Sequence, residues 1–334
     1  MKVVRLRAPA SADNLVMTDE DSRQPEVGEV LVRTRASSLN PHDDFVVRGI
    51  IPVAPDRVPL SDGAGEVVAC GEGVTDLRAG DAVVSCFWPY WQSGEMTAAT
   101  RREIPGETVD GFAREYVCAP AHFFTRAPRG LSHALAATLP CAGVSAWRGL
   151  VEQGRVKPGD TVLTIGSGSV SLFALQFAKA AGARVIATSS SESKLEKLKQ
   201  LGADELINYC ATPEWGEQAR KLTEGRGVDH VIEVGGPATF AQSMAACRLG
   251  GHIAVIGLLS GIEARVNIPA LFSGQIRITG ISIGSRADQE DMIRGIEANS
   301  IEPVIDRSFA LAEIGGACSY SQSPDRFGKV VIEI

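Results

Sequence analysis

The fold is decided by one stretch of sequence, Thr161-Val162-Leu163-Thr164-Ile165-Gly166-Ser167-Gly168-Ser169-Val170-Ser171, and by the helical spacing of the apolar residues after it. This pattern predicts a strand, a tight turn and a helix. Glycines in the turn allow close approach of the backbone to a ligand, and the helix N-terminus offers N–H groups and a positive dipole end to a pyrophosphate. We therefore predict dinucleotide binding, against the alternative of an ordinary glycine-rich turn, by Gly166, Ser167, Gly168, Ser169 and Val170.

Downstream of this stretch, short apolar runs alternate with longer helical patterns. We predict strands at 161–165, 184–187, 205–207, 228–234 and 251–256, and helices at 170–181, 192–201, 213–223 and 238–247. Strand, helix and strand that recur at this spacing indicate an α/β fold with a doubly wound parallel sheet.

The N-terminal part of the chain has a different pattern, in which short alternating segments are broken by glycine and proline. The segments 29–34, 66–69, 81–85 and 115–117 are predicted as strands of a small β-barrel domain. The C-terminal stretch 327–332 also has the pattern of a strand, and we expect it to return to this first domain. We predict residues 1–127 as the first part of the barrel domain, 128–270 as the dinucleotide-binding domain, and 271–334 as a segment that completes the sheet edge and the barrel domain.

Composition argues against several classes of protein. The 334 residues carry a net charge of −7 without any basic block, so neither nucleic-acid binding nor membrane binding is expected. The N-terminus lacks the apolar stretch of a secretory signal, and no apolar run approaches the roughly 20 residues that span a bilayer. The seven cysteines include no C-x-x-C pair, unlike a disulfide framework or a structural zinc site. We expect a cytoplasmic protein that binds a small molecule.

The end of the second sheet strand predicts which nicotinamide cofactor is preferred. NAD-specific sites place a carboxylate there for the ribose 2′-hydroxyl, and that carboxylate would repel a 2′-phosphate. Here the strand ends in Thr188-Ser189-Ser190-Ser191, with Lys194 one turn into the next helix. Hydroxyls and a lysine suit a phosphate, so NADP(H) is favoured, with Ser189, Ser190 and Lys194 as cofactor-binding residues. The alternative is that Ser191 caps the helix and Lys194 is solvated.

Further motifs extend over nearly the whole chain: Pro25-Glu26-Val27-Gly28-Glu29-Val30-Leu31-Val32, Ser38-Leu39-Asn40-Pro41-His42-Asp43, and the stretches 62–68, 73–83, 201–204 and 225–229. With these motifs the chain resembles the medium-chain dehydrogenase/reductase superfamily, and its zinc-free, quinone-reductase-like members more than its alcohol dehydrogenases. The resemblance implies a GroES-like substrate domain made from both chain ends, a Rossmann domain between them, and active-site chemistry in the cleft.

This sequence departs from the zinc-containing members of the family at the positions of the zinc ligands. Where zinc members carry three ligands, this chain has Asn40, Ser61 and Cys141, and only Cys141 matches a ligand type. The region of the family's structural zinc, 86–111, holds one cysteine. Because catalytic zinc needs about three protein ligands, we expect neither zinc, and Cys141 becomes a residue of the pocket wall or core.

Without a metal, hydrogen-bond donors or a proton donor must stabilise the charge that develops after hydride transfer. The candidates lie in the turn that contains Asn40, His42 and Asp43. Asn40 could donate to the nicotinamide amide or the substrate. His42 matches the position of the relay hydroxyl in zinc dehydrogenases and could pass a proton, against the alternative of a structural or solvated histidine. Asp43 could orient its neighbours or cap a helix.

Other assignments follow from the resemblance, one position at a time. Ser145 matches a hydroxyl residue beside the nicotinamide, Tyr209 a residue near the adenosine phosphate, and Lys329 a basic residue that reaches the cofactor. Two glycines that follow later sheet strands, Gly235 and Gly257, are expected to line the cofactor crevice. Leu258, which follows Gly257, is expected to line it as well.

The aromatic loop that contains Trp88 and Trp91 could line the substrate pocket together with Cys141, or could cover the domain where the zinc lobe would have been.

These predictions combine into an NADPH-dependent, zinc-independent reductase of a small carbonyl, enone or quinone. The tyrosines that quinone reductases place after the Asn40 turn are replaced by Phe45 and Ile51, which weakens specific quinone reduction. The alternatives are an NADP-dependent alcohol dehydrogenase and a catalytically inactive NADPH-binding protein. We also expect a homodimer that pairs through the apolar stretches 253–259 and 276–283, because an unpaired apolar edge would invite aggregation.

Overall fold

In the computed structural model, which describes residues 1–334, the chain divides into two units. The first comprises Met1–Val144 and Ile283–Ile334, and the second comprises Ser145–Ser282. The predicted boundaries at 127 and 270 therefore lie before the observed ones. The segment after 127 remains with the first unit because the short helix His133–Ala136 packs on that unit's strands, and the second unit extends past 270 to include the strand Arg277–Gly280.

The N-terminal part supplies seven strands and two short helices. They are β1 (Lys2–Leu6), β2 (Leu15–Asp19), β3 (Glu29–Ser38), α1 (Pro41–Val47), β4 (Ala64–Cys70), β5 (Ala82–Ser85), β6 (Tyr116–Pro120), β7 (Phe124–Arg126) and α2 (His133–Ala136). The four strands predicted in this region coincide with β3, β4, β5 and the start of β6. Alternation is clearest in β6, whose buried Val117 and Ala119 alternate with partly exposed neighbours.

The second unit alternates strands and helices along the chain. Its elements are α3 (Val144–Trp147), whose first residue still belongs to the first unit, β8 (Thr161–Ile165), α4 (Ser169–Ala180), β9 (Arg184–Ser189), α5 (Glu192–Gln200), β10 (Glu205–Asn208), α6 (Trp215–Leu222), β11 (Val228–Glu233), α7 (Pro237–Ala246), β12 (Cys247–Val255), α8 (Ile268–Gly274) and β13 (Arg277–Gly280). The six strands form one parallel sheet in the order β10-β9-β8-β11-β12-β13. The predicted doubly wound Rossmann sheet is confirmed.

The C-terminal segment returns to the first unit, as predicted. It contains α9 (Arg286–Asn299), β14 (Ile305–Ala310), α10 (Ile314–Ser321) and β15 (Lys329–Glu333). Strand β15 pairs in parallel with β14 and antiparallel with β3, where Val331 faces Ser38, and the sheet order is β14-β15-β3-β4-β5-β7 with β6 also on β3. This pairing brings the start of β15 beside the residues that follow β3.

Short helical turns complete the structure. Three are 3-10 helices, Ala12–Asn14, Ala121–Phe123 and Leu311–Glu313, and two are π-helical turns, Leu139–Gly143 and Arg148–Glu152. No helix has the combination of length and apolar character that crossing a membrane requires.

The central strands of the Rossmann sheet are buried on both faces, as in other parallel sheets covered by helices. Every residue of β8 and of β11 is buried. One predicted sheet edge is wrong: the stretch 253–259 begins inside β12, which lies between β11 and β13 and has no free edge. Of the two stretches proposed for subunit pairing, only 276–283 contains an edge strand, β13.

Candidate active site

The glycine turn between β8 and α4 has the geometry that pyrophosphate binding requires. Gly166 has a φ of +75°, which favours glycine, and a Cβ added at Gly166 or Gly168 would meet no protein atom within 4 Å. Gly168 is the N-cap of α4, and no side chain caps the helix there. The first N–H groups of α4, beginning at Ser169 and Val170, therefore have no partner within the helix. The open turn and the free helix end fit a pyrophosphate.

Ser171 occupies the position of the third glycine in the fingerprint, and its role is structural. Its buried hydroxyl donates to the carbonyl of Ile165 at 2.7 Å, so it fastens the first turn of α4 to the end of β8. Small size at this position lets the helix lie close to the strand, as the third glycine does in other sheets of this kind.

The end of β9 carries hydroxyls and no carboxylate. Ser189 is buried and Ser190 is exposed, while Ser191 bonds its hydroxyl to that of Ser193 at 2.8 Å and makes no helix-cap bond. The structure thus disfavours the alternative in which Ser191 is occupied with capping. The first acid of the region, Glu192, accepts a hydrogen bond from Asn208 Nδ2 at 2.5 Å, so its carboxylate is engaged at the end of β10. Lys194 is half-buried on the first turn of α5.

The remaining predicted cofactor residues of the second unit follow sheet strands, except Ser145, which lies in α3. Tyr209 follows β10 and is partly exposed, Leu258 is exposed, and Ser145 is buried. At two of these positions, close packing of the neighbouring chain leaves no room for a side chain. A Cβ at Gly257 would lie 2.2 Å from the Val234 carbonyl oxygen, and one at Gly235 would lie 2.4 Å from the Thr239 hydroxyl.

A buried carboxylate that the sequence analysis missed holds the loop after β11. Glu233 accepts backbone hydrogen bonds from Gly235 at 2.7 Å and Gly236 at 2.9 Å, and it also accepts from the hydroxyls of Thr239 and Ser243. It is the last residue of β11, so it fixes the course of the chain at the carboxyl end of the sheet, where ligands of such folds bind. The sequence feature that could have revealed Glu233 is an acidic residue at the end of a strand that is predicted to be buried.

In the first unit, α1 begins with a capping box that orients the predicted catalytic turn. The Asp43 carboxylate is buried and accepts the backbone N–H of Asn40 and the backbone N–H of Ser61, both at 2.8 Å. Burial alone would raise the pKa of Asp43, but His42, the Ser61 N–H and the Lys329 charge outweigh it and lower the pKa. Asp43 therefore stays ionised and orients its neighbours.

Lys329 lies at the centre of a buried polar cluster formed by Ser38, Asn40, Asp62 and Lys329. Its ammonium donates to Ser38 Oγ at 2.7 Å, Asn40 Oδ1 at 2.6 Å and Asp62 Oδ2 at 3.0 Å, with the Leu39 carbonyl at 3.2 Å. Its residue surface is 1 % exposed. An ammonium has three N–H donors, and four protein oxygens already engage them. In this structure the Lys329 ammonium is engaged by protein oxygens, and its predicted contact with the cofactor stays a prediction.

The Asn40 side chain is engaged in the same cluster. Its Oδ1 accepts from Lys329, and its Nδ2 donates to Asp62 Oδ2 at 2.8 Å and approaches the Ser61 hydroxyl at 3.4 Å. Both polar atoms of the amide thus have protein partners, and the predicted donation to nicotinamide or substrate stays a prediction. The buried Asp62 requires compensating donors and obtains them from Asn40, Lys329 and Ser38.

The residues at the family's zinc positions do not fit a zinc ion. Zinc takes thiolate, imidazole or carboxylate ligands, and these positions hold the engaged amide of Asn40, the hydroxyl of Ser61 and the thiol of Cys141. Burial, with Asp62 nearby, raises the pKa of the Cys141 thiol well above its ordinary value, which keeps it protonated. No group of three histidine, cysteine, aspartate or glutamate side chains is arranged to hold a metal ion. The positively charged ammonium of Lys329 also lies within hydrogen-bond distance of Asn40 and Asp62, and a second cation there would be repelled.

His42 lies at the edge of this cluster between two carboxylates. Its Nε2 is 2.7 Å from Glu107 Oε2, its Nδ1 is 3.7 Å from Asp43 Oδ1, and its ring contacts the edge of Phe87. Burial alone would lower the pKa of His42, but the nearby carboxylate of Asp43 and the hydrogen-bonded carboxylate of Glu107 raise it to about 9. The ring is therefore an imidazolium at neutral pH, which makes it a proton donor.

Glu107 was missed by the sequence analysis. It is 65 residues from His42 in the chain and lies in an irregular loop without a motif. No local sequence signal distinguishes it from the other acids of that loop, because only the tertiary fold brings it to the imidazole.

The aromatic loop forms a buried cluster of Phe87, Trp88, Trp91 and Ile104, against which Cys141 packs. Trp91 is 2 % exposed and donates its indole N–H to the Gly94 carbonyl at 3.0 Å, so it serves the core of its own unit. For Trp91 the structure favours covering the domain over the predicted lining of a substrate pocket. Trp88 lies under the Arg101 guanidinium, at 5.6 Å from its ring centre, and Arg101 lines a surface pocket of about 610 Å³ with Met96, Thr97 and Ala98.

A doubly wound sheet with an open glycine turn, joined to a β-rich unit built from both chain ends, defines a dinucleotide-dependent oxidoreductase. Comparisons with known proteins agree with this class. A family model described as zinc-binding dehydrogenase matches residues 169–298, and one described as alcohol dehydrogenase GroES-like domain matches residues 26–129. The chain is 43% identical over 316 residues to a zinc-type alcohol dehydrogenase-like protein of Schizosaccharomyces pombe, covering 92% of this chain and 91% of that protein.

Two further proteins show the range of chemistry among the relatives. The solved structure of an NAD-dependent alcohol dehydrogenase is 34% identical, has a TM-score of 0.90 and covers both chains completely. An acryloyl-coenzyme A reductase of Metallosphaera sedula is 29% identical over 318 residues, which cover 92% of this chain and 93% of that protein. The chain belongs to the medium-chain dehydrogenase/reductase superfamily, among its alcohol-dehydrogenase-like members, and it is an oxidoreductase.

Proposed function

We propose that this protein is an NADPH-dependent, zinc-independent reductase that transfers hydride to a small carbonyl, enone or quinone substrate. The observation that carries the proposal is the position of the His42 ring between the carboxylates of Asp43 and Glu107, in a unit whose zinc positions lack a zinc-binding donor set. A protonated imidazole can supply the proton that reduction consumes. One relative, an acryloyl-coenzyme A reductase, is named for reduction of a conjugated double bond, and this supports the enone within the proposed range.

The residues at the end of β9 support NADP(H) as the cofactor. Ser189 and Ser190 offer hydroxyls there, Lys194 offers a positive charge on α5, and the first carboxylate, Glu192, is engaged by Asn208. A 2′-phosphate is recognised by such donors and repelled by the acid that NAD-specific sites use. Because one solved relative is named as an NAD-dependent alcohol dehydrogenase, kcat/KM for NADPH and for NADH has to be compared directly.

The proposed reaction needs a hydride and a proton. Bound NADPH supplies a hydride to the electrophilic carbon of the substrate. The second unit holds the pyrophosphate at the Gly166 to Val170 turn, whose N–H groups and helix end favour negative charge. The first unit supplies the proton from His42, so that a carbonyl gains H on carbon and oxygen, or an enone gains H on its β-carbon and α-carbon. Solvent water then reprotonates the imidazole.

The second candidate function is an NADP-dependent alcohol dehydrogenase, which the name of the 43% identical relative favours. Alcohol oxidation would use His42 as a base, and a pKa of about 9 leaves that base mostly protonated at neutral pH. The raised pKa therefore favours reduction over oxidation near pH 7.

The proposed function is tested by NADPH consumption with quinones, conjugated enones and simple aldehydes, beside NADP-linked alcohol oxidation. We expect reduction of at least one acceptor class, and a loss of about a hundredfold in kcat for His42→Gln, because general acid catalysis contributes about that much. His133→Gln, which changes a histidine at the start of α2, is the matched control and should retain activity. Tight NADPH binding without turnover of any acceptor would identify an inactive binding protein and contradict the proposal.

We also propose a homodimer that pairs through β13. This strand is one of the two edges of the Rossmann sheet, and the chain before it exposes several large apolar side chains, including Leu259, Ile262, Ile268 and Phe272. Phe272 on α8 is 70% exposed and Ile262 is 86% exposed. An apolar surface beside an unpaired edge strand is typical of a subunit interface.

A further inference from the structure

Two loops at the carboxyl end of the Rossmann sheet pack directly on each other. The first loop, residues 234–236, follows β11, and the second loop, residues 256–261, follows β12. A Cβ at Gly257 would lie 2.2 Å from the Val234 carbonyl oxygen, and one at Gly236 would lie 3.2 Å from the backbone of the second loop. The two backbones therefore touch without side chains between them. Together they form one wall of the crevice in which ligands of such folds bind.

Ser260 joins the two loops by hydrogen bonds. Its hydroxyl donates to the Gly235 carbonyl at 2.6 Å and accepts the Ala238 N–H at 2.9 Å. Its own backbone N–H donates to the same Gly235 carbonyl at 2.9 Å. Ala238 is in the first turn of α7, so the hydroxyl of Ser260 bonds both the first loop and the start of the helix that follows it. Ser260 is exposed, and its hydroxyl therefore has no role in a hydrophobic core.

Glu233 anchors both loops at their base. Its buried carboxylate accepts the backbone N–H groups of Gly235 and Gly236 in the first loop, at 2.7 and 2.9 Å. Its backbone carbonyl accepts those of Ile256 and Gly257 in the second loop, at 2.8 and 3.2 Å. Both loops are thus fixed to the last residue of β11.

The order of the strands determines which half of a dinucleotide would face these loops. The glycine turn that fits the pyrophosphate follows β8, and the residues proposed for the 2′-phosphate follow β9, which is its neighbour on one side. Strands β11 and β12 lie on the other side of β8. A dinucleotide whose adenosine half lies over β9 therefore extends its nicotinamide half toward the two loops.

We propose that Ser260 is a positioning residue for the nicotinamide half of the cofactor: its hydroxyl holds the second loop against the first, in the arrangement to which that half binds. When a loop leaves the binding arrangement for part of the time, the apparent affinity falls by the same fraction. The inference rests on the proposed function in that it takes NADP(H) as the cofactor. Its structural part, the joining of the two loops, stands on the hydrogen bonds of Ser260 and is measurable without any cofactor.

The first test is amide hydrogen exchange, followed by mass spectrometry in the full-length protein without cofactor. Ser260→Ala removes the hydroxyl that accepts the Ala238 N–H, so peptides that cover the two loops and the start of α7 should exchange faster. Peptides that cover the glycine turn after β8 should exchange as before. Ser273→Ala removes an exposed hydroxyl that bonds only within α8, to the Pro269 carbonyl, and is the matched control. Unchanged exchange of both loops in Ser260→Ala would overturn the inference.

The second test compares the Kd of the whole cofactor with the Kd of its adenosine half, by titration calorimetry. Ser260→Ala should bind NADPH about fivefold more weakly than the natural protein, the factor that one lost hydrogen bond is typically worth. Adenosine 2′,5′-bisphosphate lacks the nicotinamide half, so its Kd should stay the same. A merely structural role would weaken both ligands alike. Equal weakening of the two, or an unaltered Kd for NADPH, would show that Ser260 does not position the cofactor.

A conservative variant and a distant carboxylate separate positioning from stability. Ser260→Thr keeps the hydroxyl and should restore both the slow exchange and the Kd for NADPH. At the base of the loops, Glu233→Gln replaces a charged acceptor by a weaker neutral one, and we expect it to weaken NADPH but not the bisphosphate. Asp229→Asn makes the same change at the other end of β11, where Arg226 and the Thr161 N–H hold a buried carboxylate, and should leave the Kd for NADPH unchanged. If Asp229→Asn weakens NADPH as much as Glu233→Gln does, the effect is one of stability and the inference fails.

These measurements separate the inference from the proposed function. If the natural protein binds NADH and not NADPH, the proposed cofactor is wrong, and NADH and ADP take the two places in the same comparison. If NADPH binds but no acceptor is reduced, the proposed reaction fails while the Kd values still decide the role of Ser260. If acceptors are reduced and Ser260→Ala binds NADPH as tightly as the natural protein, only the positioning role fails.

Discussion

Removing the Lys329 ammonium should destabilise the first unit strongly. Lys329→Met keeps a side chain of similar length but leaves the Asp62 carboxylate, which is fully buried, without its cation. The Asn40 carbonyl oxygen and the Ser38 hydroxyl lose the same partner. Breaking a buried ion pair from one side typically costs about 3 to 5 kcal/mol, because the remaining charge is uncompensated. We therefore expect a loss of that size in the free energy of unfolding.

The assay is urea denaturation followed by tryptophan fluorescence, since Trp88 and Trp91 are buried in the same unit. The double variant Lys329→Met/Asp62→Leu removes both charges and is the informative control. It should recover much of the lost stability, because two apolar side chains can replace a buried ion pair at little cost. A loss below about 1 kcal/mol for Lys329→Met, or a double variant no more stable than the single one, would refute this account of the cluster.

The remaining predictions concern pH, cofactor choice and assembly. Because the pKa of His42 is raised to about 9, reductive kcat should hold below that pH and fall above it; a profile that falls near pH 6.5 would contradict the assignment. Burial, with the charges of Arg277 and His230, lowers the pKa of His252 to about 4. As the pH falls, the unfolded state binds this proton before the folded state does, so the free energy of unfolding should fall by about 3 kcal/mol between pH 6.5 and 4. His252→Leu should lose this pH dependence when it is measured by acid denaturation. Ser190→Glu should raise KM for NADPH at least about tenfold and favour NADH, through repulsion of the 2′-phosphate; equal KM values would argue against NADP(H) preference. Phe272→Asp should convert the proposed dimer to a monomer in sedimentation, and a dimer that persists would place the interface elsewhere.

The Rossmann half of the molecule was predictable because its signals are local. The run from Thr161 to Ser171 contains the strand, the turn and the helix start in consecutive residues, and β9 and α5 follow with bounds close to the predicted ones. Periodicity reports which residues face a core, so it identifies elements well. It does not report which edge a strand occupies, and for this reason the stretch 253–259 was assigned to an outer strand although β12 lies inside the sheet.

The polar cluster of the first unit was predictable only in part. Motif position singled out Asn40, His42 and Asp43, and the capping box that joins Asn40 to Asp43 could be expected from their spacing. The partners of these residues come from far along the chain: Glu107 for His42, and Lys329 for Asn40, which is 289 residues away. No periodicity links such positions, so the engagement of the Asn40 amide and of the Lys329 ammonium emerged only from the fold.

We propose that reduction proceeds with a protein proton donor and without a bound metal. The decisive experiment is to dialyse the protein against a chelator, verify its metal content by elemental analysis, and measure NADPH consumption with a conjugated enone before and after the addition of zinc. We expect turnover that survives chelation and does not rise with zinc. Activity that disappears on chelation and returns only with zinc would contradict it and assign Asn40, Ser61 and Cys141 to a metal site.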